Sequence, residues 1–193
     1  IIIDNDSPDK SGKLFLDEYK NCKFILNKKN VGVPEGLNIG IDNANGEFIV
    51  FLNNDLTVNK NWLTEFFIAY KKFGDALYQP KSLKMKNLNE IDGVGNMINL
   101  FGFGFSRGKG EPDVGKYDEN IEEISYASGT CMFLPKKIIY EIGVFDKILF
   151  AYHEEVDFGW RARLNGYKSY YVPGSLIHHF GSANWGWSKK KFF

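Results

Sequence analysis

The chain has 193 residues, 44% of them hydrophobic, which is enough for one well-buried domain and too few for two of ordinary size. Basic and acidic residues number 24 each, so the formal net charge is zero, and the charge pattern does not indicate nucleic acid as the main partner. No apolar run is long enough to cross a bilayer, and the first residues do not follow a secretory signal pattern. Cys22 and Cys131 fit neither a metal site nor a disulfide framework, so we expect a reducing, cytoplasmic compartment.

The first part of the chain predicts alternating strands and helices. Such an order typically builds a mostly parallel sheet with right-handed crossovers. The predicted elements are a strand at 1–3, a helix at 13–19, a strand at 23–26, a helix from 34 to 46, a strand at 48–52 and a helix from 62 to 74.

The strand at 48–52 is the centre of this pattern, because its apolar run suits a strand covered on both faces. It ends abruptly in Asn53, Asn54 and Asp55. Ligands of open α/β sheets bind beyond the carboxyl ends of such strands, so these residues are candidates for a binding site. A simple turn before the next helix explains them equally well.

Glycine recurs throughout residues 93–115, with aromatic residues between. A long glycine-rich segment inside a compact domain is usually a functional lid or a disordered connection. We do not interpret it as a dinucleotide fingerprint, because no Gly-x-Gly-x-x-Gly here follows a strand and opens a helix.

Regular structure is predicted again in the last third of the chain. Glu154 and Glu155 fall in the first turn of a helix, where the helix dipole favours carboxylates, and Asp157 and Arg161 have the spacing of an ion pair. The predicted elements are strands at 124–127 and 130–134, a helix from 135 to 143, a helix that ends near 166, and strands at 167–172 and 176–180.

Seven short motifs occur in one order along the chain. They are Ile-Asp-Asn-Asp-Ser (3–7), Asn-Val-Gly (30–32) with Asn38 after it, Leu-Asn-Asn-Asp (52–55), Ser-Gly-Thr-Cys-Met-Phe-Leu-Pro (128–135), Gly-Val-Phe-Asp (143–146), Glu-Glu-Val-Asp (154–157) and Ile-His-His (177–179). Together they resemble the family 2 glycosyltransferases of the GT-A fold, especially bacterial rhamnosyltransferase-like members. The resemblance implies an α/β fold with a Rossmann-like, mostly parallel central sheet flanked by helices and a small antiparallel acceptor-side region. The family normally begins with one more strand, so we expect that this chain starts after it.

The resemblance also implies a function. It predicts one domain with a nucleotide-sugar-binding half (1–80) and an acceptor-side, catalytic half (81–193). The implied reaction is inverting, metal-dependent transfer of a sugar from a UDP- or dTDP-sugar to a glycan or lipid-linked acceptor hydroxyl in bacterial surface polysaccharide assembly at the cell envelope. The implied location is the cytoplasm or the inner face of the membrane. The interpretation also allows peripheral contact with the membrane and association of the chain with copies of itself.

The motif positions assign roles to individual residues. Asp55 and His178 are the implied ligands of a divalent cation, either Mn²⁺ or Mg²⁺. Both ions favour oxygen ligands, and a histidine ligand favours manganese over magnesium. Glu155 is the implied catalytic base, with Glu154 and Asp157 as orienting or acceptor-binding groups. The implied nucleotide-sugar-binding residues are Asp4, Asn5, Asn30, Gly32, Asn38, Asn53 and Asn54. Each of these residues also has a simpler structural interpretation. His178 could be a hydrogen-bonded strand residue, the carboxylates at 154–157 could be a solvated first helical turn, and the nucleotide-sugar-binding residues could be ordinary turn, loop or helix-surface residues.

Two other interpretations remain. The family's Asp-x-Asp site is Asn53-Asn54-Asp55 here, with one carboxylate, which fits a truncated, non-catalytic domain that binds a nucleotide or glycan. A nucleotidyltransferase would normally carry a basic glycine-rich phosphate loop near the N-terminus, and the sequence has none.

Trp185 and Trp187 could stack on a sugar, cover the core or contact another subunit.

Overall fold

A computed structural model describes residues 1–181, so Trp185, Trp187 and the lysines at 189–191 lie outside the described residues. The helices are α1 (Ser11–Glu18), α2 (Val33–Asn43), α3 (Trp62–Phe73), α4 (Lys136–Ile142) and α5 (Glu154–Leu164), with a 3-10 turn at Lys147–Leu149. The strands are β1 (Ile2–Asp4), β2 (Phe24–Leu26), β3 (Phe48–Leu52), β4 (Leu56–Val58), β5 (Ala76–Lys84), β6 (Asn87–Gly93), β7 (Asn96–Ile98), β8 (Gly104–Ser106), β9 (Glu122–Ile124), β10 (Cys131–Pro135) and β11 (Lys168–His179).

The central sheet follows the order β3-β10-β5-β11-β4, with β6 beside β5 and β9 beside β11. The main strands β3, β5 and β11 run in one direction, because β10 is antiparallel to both β3 and β5 and because β5 pairs with β11 in parallel. Strands β4, β6 and β9 are antiparallel to their neighbours. The predicted α/β class is confirmed, and the sheet is mixed where the antiparallel strands join it.

The strand predicted at 48–52 is β3, which lies at one end of the strand order of the main sheet, and side chains cover both of its faces. Ile49 and Phe51 belong to a core layer with helices α2, α4 and α5, whereas Phe48 and Val50 pack in a layer with α3. The two layers separate because successive side chains of a strand point to opposite faces. Burial on both sides explains why the sequence of this strand is continuously apolar.

The glycine-rich segment is folded into strands and turns and is not an irregular connection. It supplies the end of β6 and the hairpin of β7 and β8, which pair antiparallel. It is attached to the sheet by apolar packing of Val94 and by polar contacts. The buried Lys81 of β5 donates to Asp113 at 2.7 Å and also to Asp118. Burial alone would lower the pKa of Lys81, but these two carboxylates outweigh burial and raise it.

The last two predicted strands are one strand, β11. Its parallel register with β5 shifts between Val172 and Leu176, so residues 173–175 form an irregularity inside a continuous strand. Proline and glycine at 173 and 174 gave the sequence the appearance of a break, although the chain only bulges there.

Candidate active site

A cavity of about 460 Å³ lies beside the carboxyl-terminal ends of β5 and β11. Its walls are largely polar. They bring together two regions that the sequence analysis singled out: the start of α5, with Glu155, and the end of β11, with His179, the residue after the predicted His178. Other lining side chains are Gln79, Ser82, Lys84, Asp92, Asn96, Phe105, Ser106, Lys109, Tyr126, Ser128, Thr130 and Cys131.

Strand pairing places Asp55 beside His179. Strand β4 begins one residue after Asp55 and pairs antiparallel with β11, so that Leu56 lies opposite His179. The side chains meet at 3.3 Å between Oδ1 of Asp55 and Nε2 of His179, and both are largely buried. The other ring nitrogen of His179, Nδ1, lies 2.8 Å from Oδ2 of Asp92. The imidazole is therefore held between two carboxylates.

These contacts shift the titration of the group. The hydrogen bond with Asp92 raises the pKa of His179, against the opposing effect of burial, and Asp55 raises it further. Burial would raise the pKa of Asp92, but the hydrogen bond and charge of His179 outweigh it and lower that pKa. Without a cation, both shifts favour the charged form of each group, and a cation bound at Nε2 of His179 would replace the proton there.

The sequence interpretation chose His178 as the histidine near Asp55, whereas the structure places His179 there. His178 lies opposite Thr57 and is not part of the cavity wall, whereas His179 lines the cavity. Adjacent residues of a strand point to opposite faces, so only one of the two histidines can face this side.

The pair Asp55 and His179 suits a divalent cation chemically. Magnesium and manganese bind with one or two protein ligands and take the others from phosphate oxygens and water. A ligating histidine usually bonds a carboxylate through its second nitrogen, and Asp92 is in that place. Within residues 1–181, no group of three or more His, Cys, Asp or Glu side chains is arranged to hold a metal by itself. The residues present therefore fit a cation that is completed by its substrate.

Glu154 and Glu155 begin α5 after a turn of unusual backbone. Phe150, Tyr152 and His153 all have positive φ, at 51°, 69° and 67°, a conformation that costs free energy for residues other than glycine and that occurs often at functional sites. The turn directs both glutamates inward: Glu154 is buried, and each has one buried carboxylate oxygen, Oε2, that has no hydrogen-bond partner within residues 1–181. Burial raises the pKa of Glu155, and the neighbouring Glu154 raises it further.

Asp157, the third predicted catalytic carboxylate, is engaged elsewhere. It accepts hydrogen bonds from Arg161 at 2.7 and 2.9 Å, which confirms the predicted ion pair. Arg161 also donates to the backbone carbonyls of Ile142 at 2.7 Å and Val144 at 3.0 Å. Asp157 thus anchors the end of α4 to α5, and it does not line the cavity.

Three of the predicted nucleotide-sugar residues form one network. Asn5 donates to Oδ1 of Asn30 and to the carbonyl of Gly32, both at 3.0 Å, and accepts from the backbone of Val31 at 3.1 Å. Asp4 accepts from the backbone of Ser7 at 2.9 Å. The end of β1 and the loop before α2 are therefore held together as one surface.

The other predicted donor residues are separate from this network. Asn53 and Asn54 are exposed after β3, and the backbone N–H of Asn53 donates to Thr130, a residue of the cavity wall. Asn38 is buried, and both ends of its amide bond the backbone of Phe145, donating at 2.9 Å and accepting at 3.0 Å. Asn38 therefore fastens α2 to the segment after α4.

Sequence reasoning missed several residues of the cavity. Asp92 lies in β6, directly before the glycine-rich segment, and its sequence context gave no chemical signal. Tyr126 lines the cavity, and burial raises its pKa to about 12. Burial also raises the pKa of the lining Cys131 thiol to about 12, so this thiol stays protonated and is a poor nucleophile.

The family model for glycosyl transferase family 2 matches residues 1–143. The chain belongs to glycosyl transferase family 2. One curated relative is the low-salt glycan biosynthesis hexosyltransferase Agl10 of Haloferax volcanii. The two sequences are 25% identical over a region that covers 84% of this chain and 52% of Agl10. An N-acetylglucosaminyl-diphospho-decaprenol L-rhamnosyltransferase of Mycobacterium tuberculosis is 35% identical over 29% of this chain and 19% of its own length. The chain thus spans about half of the first relative and less of the second.

Solved structures confirm the GT-A fold of this family 2 member. A crystal structure of GalNAc-T7 with UDP, GalNAc and Mn²⁺ has a TM-score of 0.72 and 19% identity, covering 92% of this chain and 36% of that one. A structure of Staphylococcus aureus TarS, residues 1–349, has a TM-score of 0.57 and 18% identity, covering 89% of this chain and 50% of that one. Within residues 1–181, no helix has both the length and the apolar character needed to cross a membrane.

Proposed function

We propose that this chain carries the catalytic site of a glycosyltransferase that moves a sugar from a nucleotide-diphosphate donor to an acceptor hydroxyl with inversion of configuration. The observation that carries the proposal is the meeting of Glu155 and His179, the latter paired with Asp55, around one polar cavity. Family membership supports the reaction class. The geometry supports placing a base on one side of the cavity and a cation site on the other.

Asp55 and His179 are the proposed ligands of a divalent cation, with His179 in place of His178. Asp92 orients the imidazole through its bond to Nδ1. When bound, such a cation neutralises charge that develops on the two leaving phosphates. The Mn²⁺ in the GalNAc-T7 structure supports a divalent cation for this fold.

Glu155 is the proposed general base. An acceptor hydroxyl must lose its proton as it attacks the anomeric carbon from the face opposite the leaving group, and a carboxylate of raised pKa is suited to accept that proton. Burial and Glu154 supply the raised pKa, and Glu155 lines the cavity in which an acceptor hydroxyl would bind. Direct displacement needs no covalent nucleophile, in keeping with the protonated state of Cys131.

The donor nucleotide is proposed to lie against the network of Asn5, Asn30 and Gly32, with Asp4 next to it and Asn53 and Asn54 at the edge toward the cavity. Residues 1–80 would then form the donor half and residues 81–193 the acceptor half. Asn38 and Asp157 act in this proposal as positioning residues, because their polar groups already bond the protein.

The acceptor is proposed to be a glycan or a lipid-linked sugar, and the process surface polysaccharide or glycoconjugate assembly at the cytoplasmic face of a membrane. The names of the two curated relatives support this class, since one acts in glycan biosynthesis and the other on a diphospho-decaprenol sugar. A non-catalytic binding domain of the same fold is the second candidate, favoured by the single carboxylate in Asn53-Asn54-Asp55.

Release of UDP or dTDP from a panel of nucleotide sugars with Mn²⁺ tests the proposal. Glu155→Gln keeps the size of the side chain and removes the base, so turnover should fall about 100-fold or more while nucleotide affinity is retained. Glu141→Gln, at an exposed glutamate that bonds Tyr167 outside the cavity, is the matched control. Nucleotide binding without turnover by the unmodified chain would favour the non-catalytic candidate.

A further inference from the structure

The turn between β7 and β8, residues 99–103, which we call the hairpin tip, exposes an unusual apolar surface. Leu100 and Phe101 are the most exposed large apolar side chains within residues 1–181, at 102% and 86%. Phe103 is also exposed, as is Phe105 just beyond the tip. Large apolar side chains that protrude together usually mark a surface that contacts a partner or a membrane.

The hairpin tip is a built structure and not a loose loop. The side-chain oxygen of Asn99 accepts from the backbone N–H groups of Phe101 at 2.9 Å and Phe103 at 3.0 Å. The backbone of Asn99 donates to Phe103 and accepts from Gly102. Four N–H groups, those of residues 99, 101, 102 and 103, are therefore bonded inside the tip. Internal pairing of this kind lowers the cost of placing backbone in an apolar medium.

The tip is continuous with the candidate active site. Gly104 and Phe105, which follow it directly, line the cavity. Gly104 lies against the ring of Tyr126, so closely that a Cβ at this position would meet the tyrosine oxygen. The apolar tip and the cavity thus share one rigid hairpin.

The charge of the segment suits an anionic surface. Residues 93–110 include no aspartate or glutamate, and they carry Arg107 and Lys109. Arg107 is paired with Glu122, whereas Lys109 is exposed at the cavity wall. Because Glu122 neutralises Arg107, the argument rests on Lys109, whose charge beside an apolar tip favours the headgroup region of an anionic bilayer.

We propose that the hairpin tip inserts Leu100, Phe101 and Phe103 into the interfacial region of a lipid bilayer. A convex tip that satisfies its own backbone bonds fits a fluid lipid surface better than the flat, complementary area of a stable protein interface. The inference rests on the proposed function in one respect: a cavity next to the membrane surface suits an acceptor anchored there by a lipid.

Co-sedimentation with phosphatidylcholine–phosphatidylglycerol vesicles, without any sugar substrate, tests the contact. The double variant Leu100→Ser/Phe101→Ser should bind at least about tenfold more weakly, since each side chain loses the burial of a large apolar surface. The matched control is Ile148→Ser/Leu164→Ser, which removes two other exposed apolar side chains and should bind as the unmodified chain does. Binding should largely persist at high salt, because the main contact is apolar.

A dye that reports polarity tests the depth of the tip. Phe101→Cys in a Cys22→Ser background offers one exposed thiol for labelling within residues 1–181, because Cys131 is buried. The dye should shift to shorter wavelength on vesicles, and the same dye at Leu164→Cys should not. No vesicle binding by the unmodified chain, equal losses in both double variants, or self-association through the tip would overturn the proposal. Nucleotide binding measured without lipid tests the proposed function separately.

Discussion

Removal of the Asn38 side chain tests whether this residue fastens the fold or binds the donor. Asn38 is 9% exposed and both its amide groups bond the backbone of Phe145. In Asn38→Ala a buried N–H and a buried carbonyl of Phe145 lose their partners, at about 1–3 kcal/mol each. Partial relaxation around the smaller side chain reduces that sum, so we expect a loss of about 2–4 kcal/mol in the free energy of unfolding.

Urea unfolding measures this loss, as a lower midpoint at an unchanged slope. The matched control is Asn43→Ala on the same helix, whose side chain bonds the carbonyl of Ile39 four residues earlier, and its loss should stay within about 0.5 kcal/mol. The folded fraction of Asn38→Ala should bind nucleotide as the unmodified chain does. Unchanged stability together with lost nucleotide binding would refute the positioning role and restore Asn38 as a donor ligand.

Three further outcomes are expected. Gly159→Ala should lower the melting temperature in a thermal scan, because a Cβ on this buried helical residue would lie 3.2 Å from Cα of Tyr126 and closer still to its Cβ; an unchanged melting temperature would contradict this packing. Lys81→Met should cost about 1–3 kcal/mol in urea unfolding, because the partly buried Asp113 and the more exposed Asp118 lose the cation that they share, and equal stability would show that the pairing is worth nothing. Because the pKa of Glu155 is raised, this residue binds its proton more readily in the folded chain than in the unfolded chain. Ionised Glu155 therefore lowers the free energy of unfolding above that pKa, and this loss is relieved as the pH falls through the pKa. As a base it must be ionised, so the acid limb of kcat/KM should lie above the ordinary glutamate value of 4.5 and disappear in Glu155→Gln, whereas a limb at 4.5 or below would exclude this role.

The sequence predicted elements whose structure is decided by local pattern, whereas the central strand β5 and strands β4, β6, β7 and β8 were not predicted. The apolar run at β3, the proline near the start of α2 and the carboxylates that begin α5 each carry a signal within a few residues. The Asp157–Arg161 pair was also predictable, since residues four apart on a helix face each other.

The choice between His178 and His179 depends on a feature that the sequence does not display. Which of two adjacent strand residues faces the cavity is set by the phase of alternation, and the irregularity at residues 173–175 changes that phase within β11. The partner strand β4 then places Asp55 beside His179. Only the pairing of distant strands fixes this contact.

The glycine-rich segment was unpredictable for a related reason. Its structure depends on long-range contacts, such as the bridge between Asn96 and Tyr126 and the ion pairs of Lys81. Such contacts cannot be predicted from the local amino-acid composition. Asp92 reaches His179 across 87 positions of sequence and could not be recognised as its partner from spacing.

The central claim is that Asp55 and His179 hold the cation that binds the donor phosphates. Calorimetric titration with UDP and dTDP, with and without Mn²⁺, tests it on four chains: unmodified, Asp55→Ala, His179→Ala and His178→Ala, each first shown to be folded by circular dichroism. We expect metal-dependent nucleotide binding that is lost in Asp55→Ala and His179→Ala and retained in His178→Ala. Loss in His178→Ala with retention in His179→Ala, or no binding of either nucleotide by the folded unmodified chain, would contradict it.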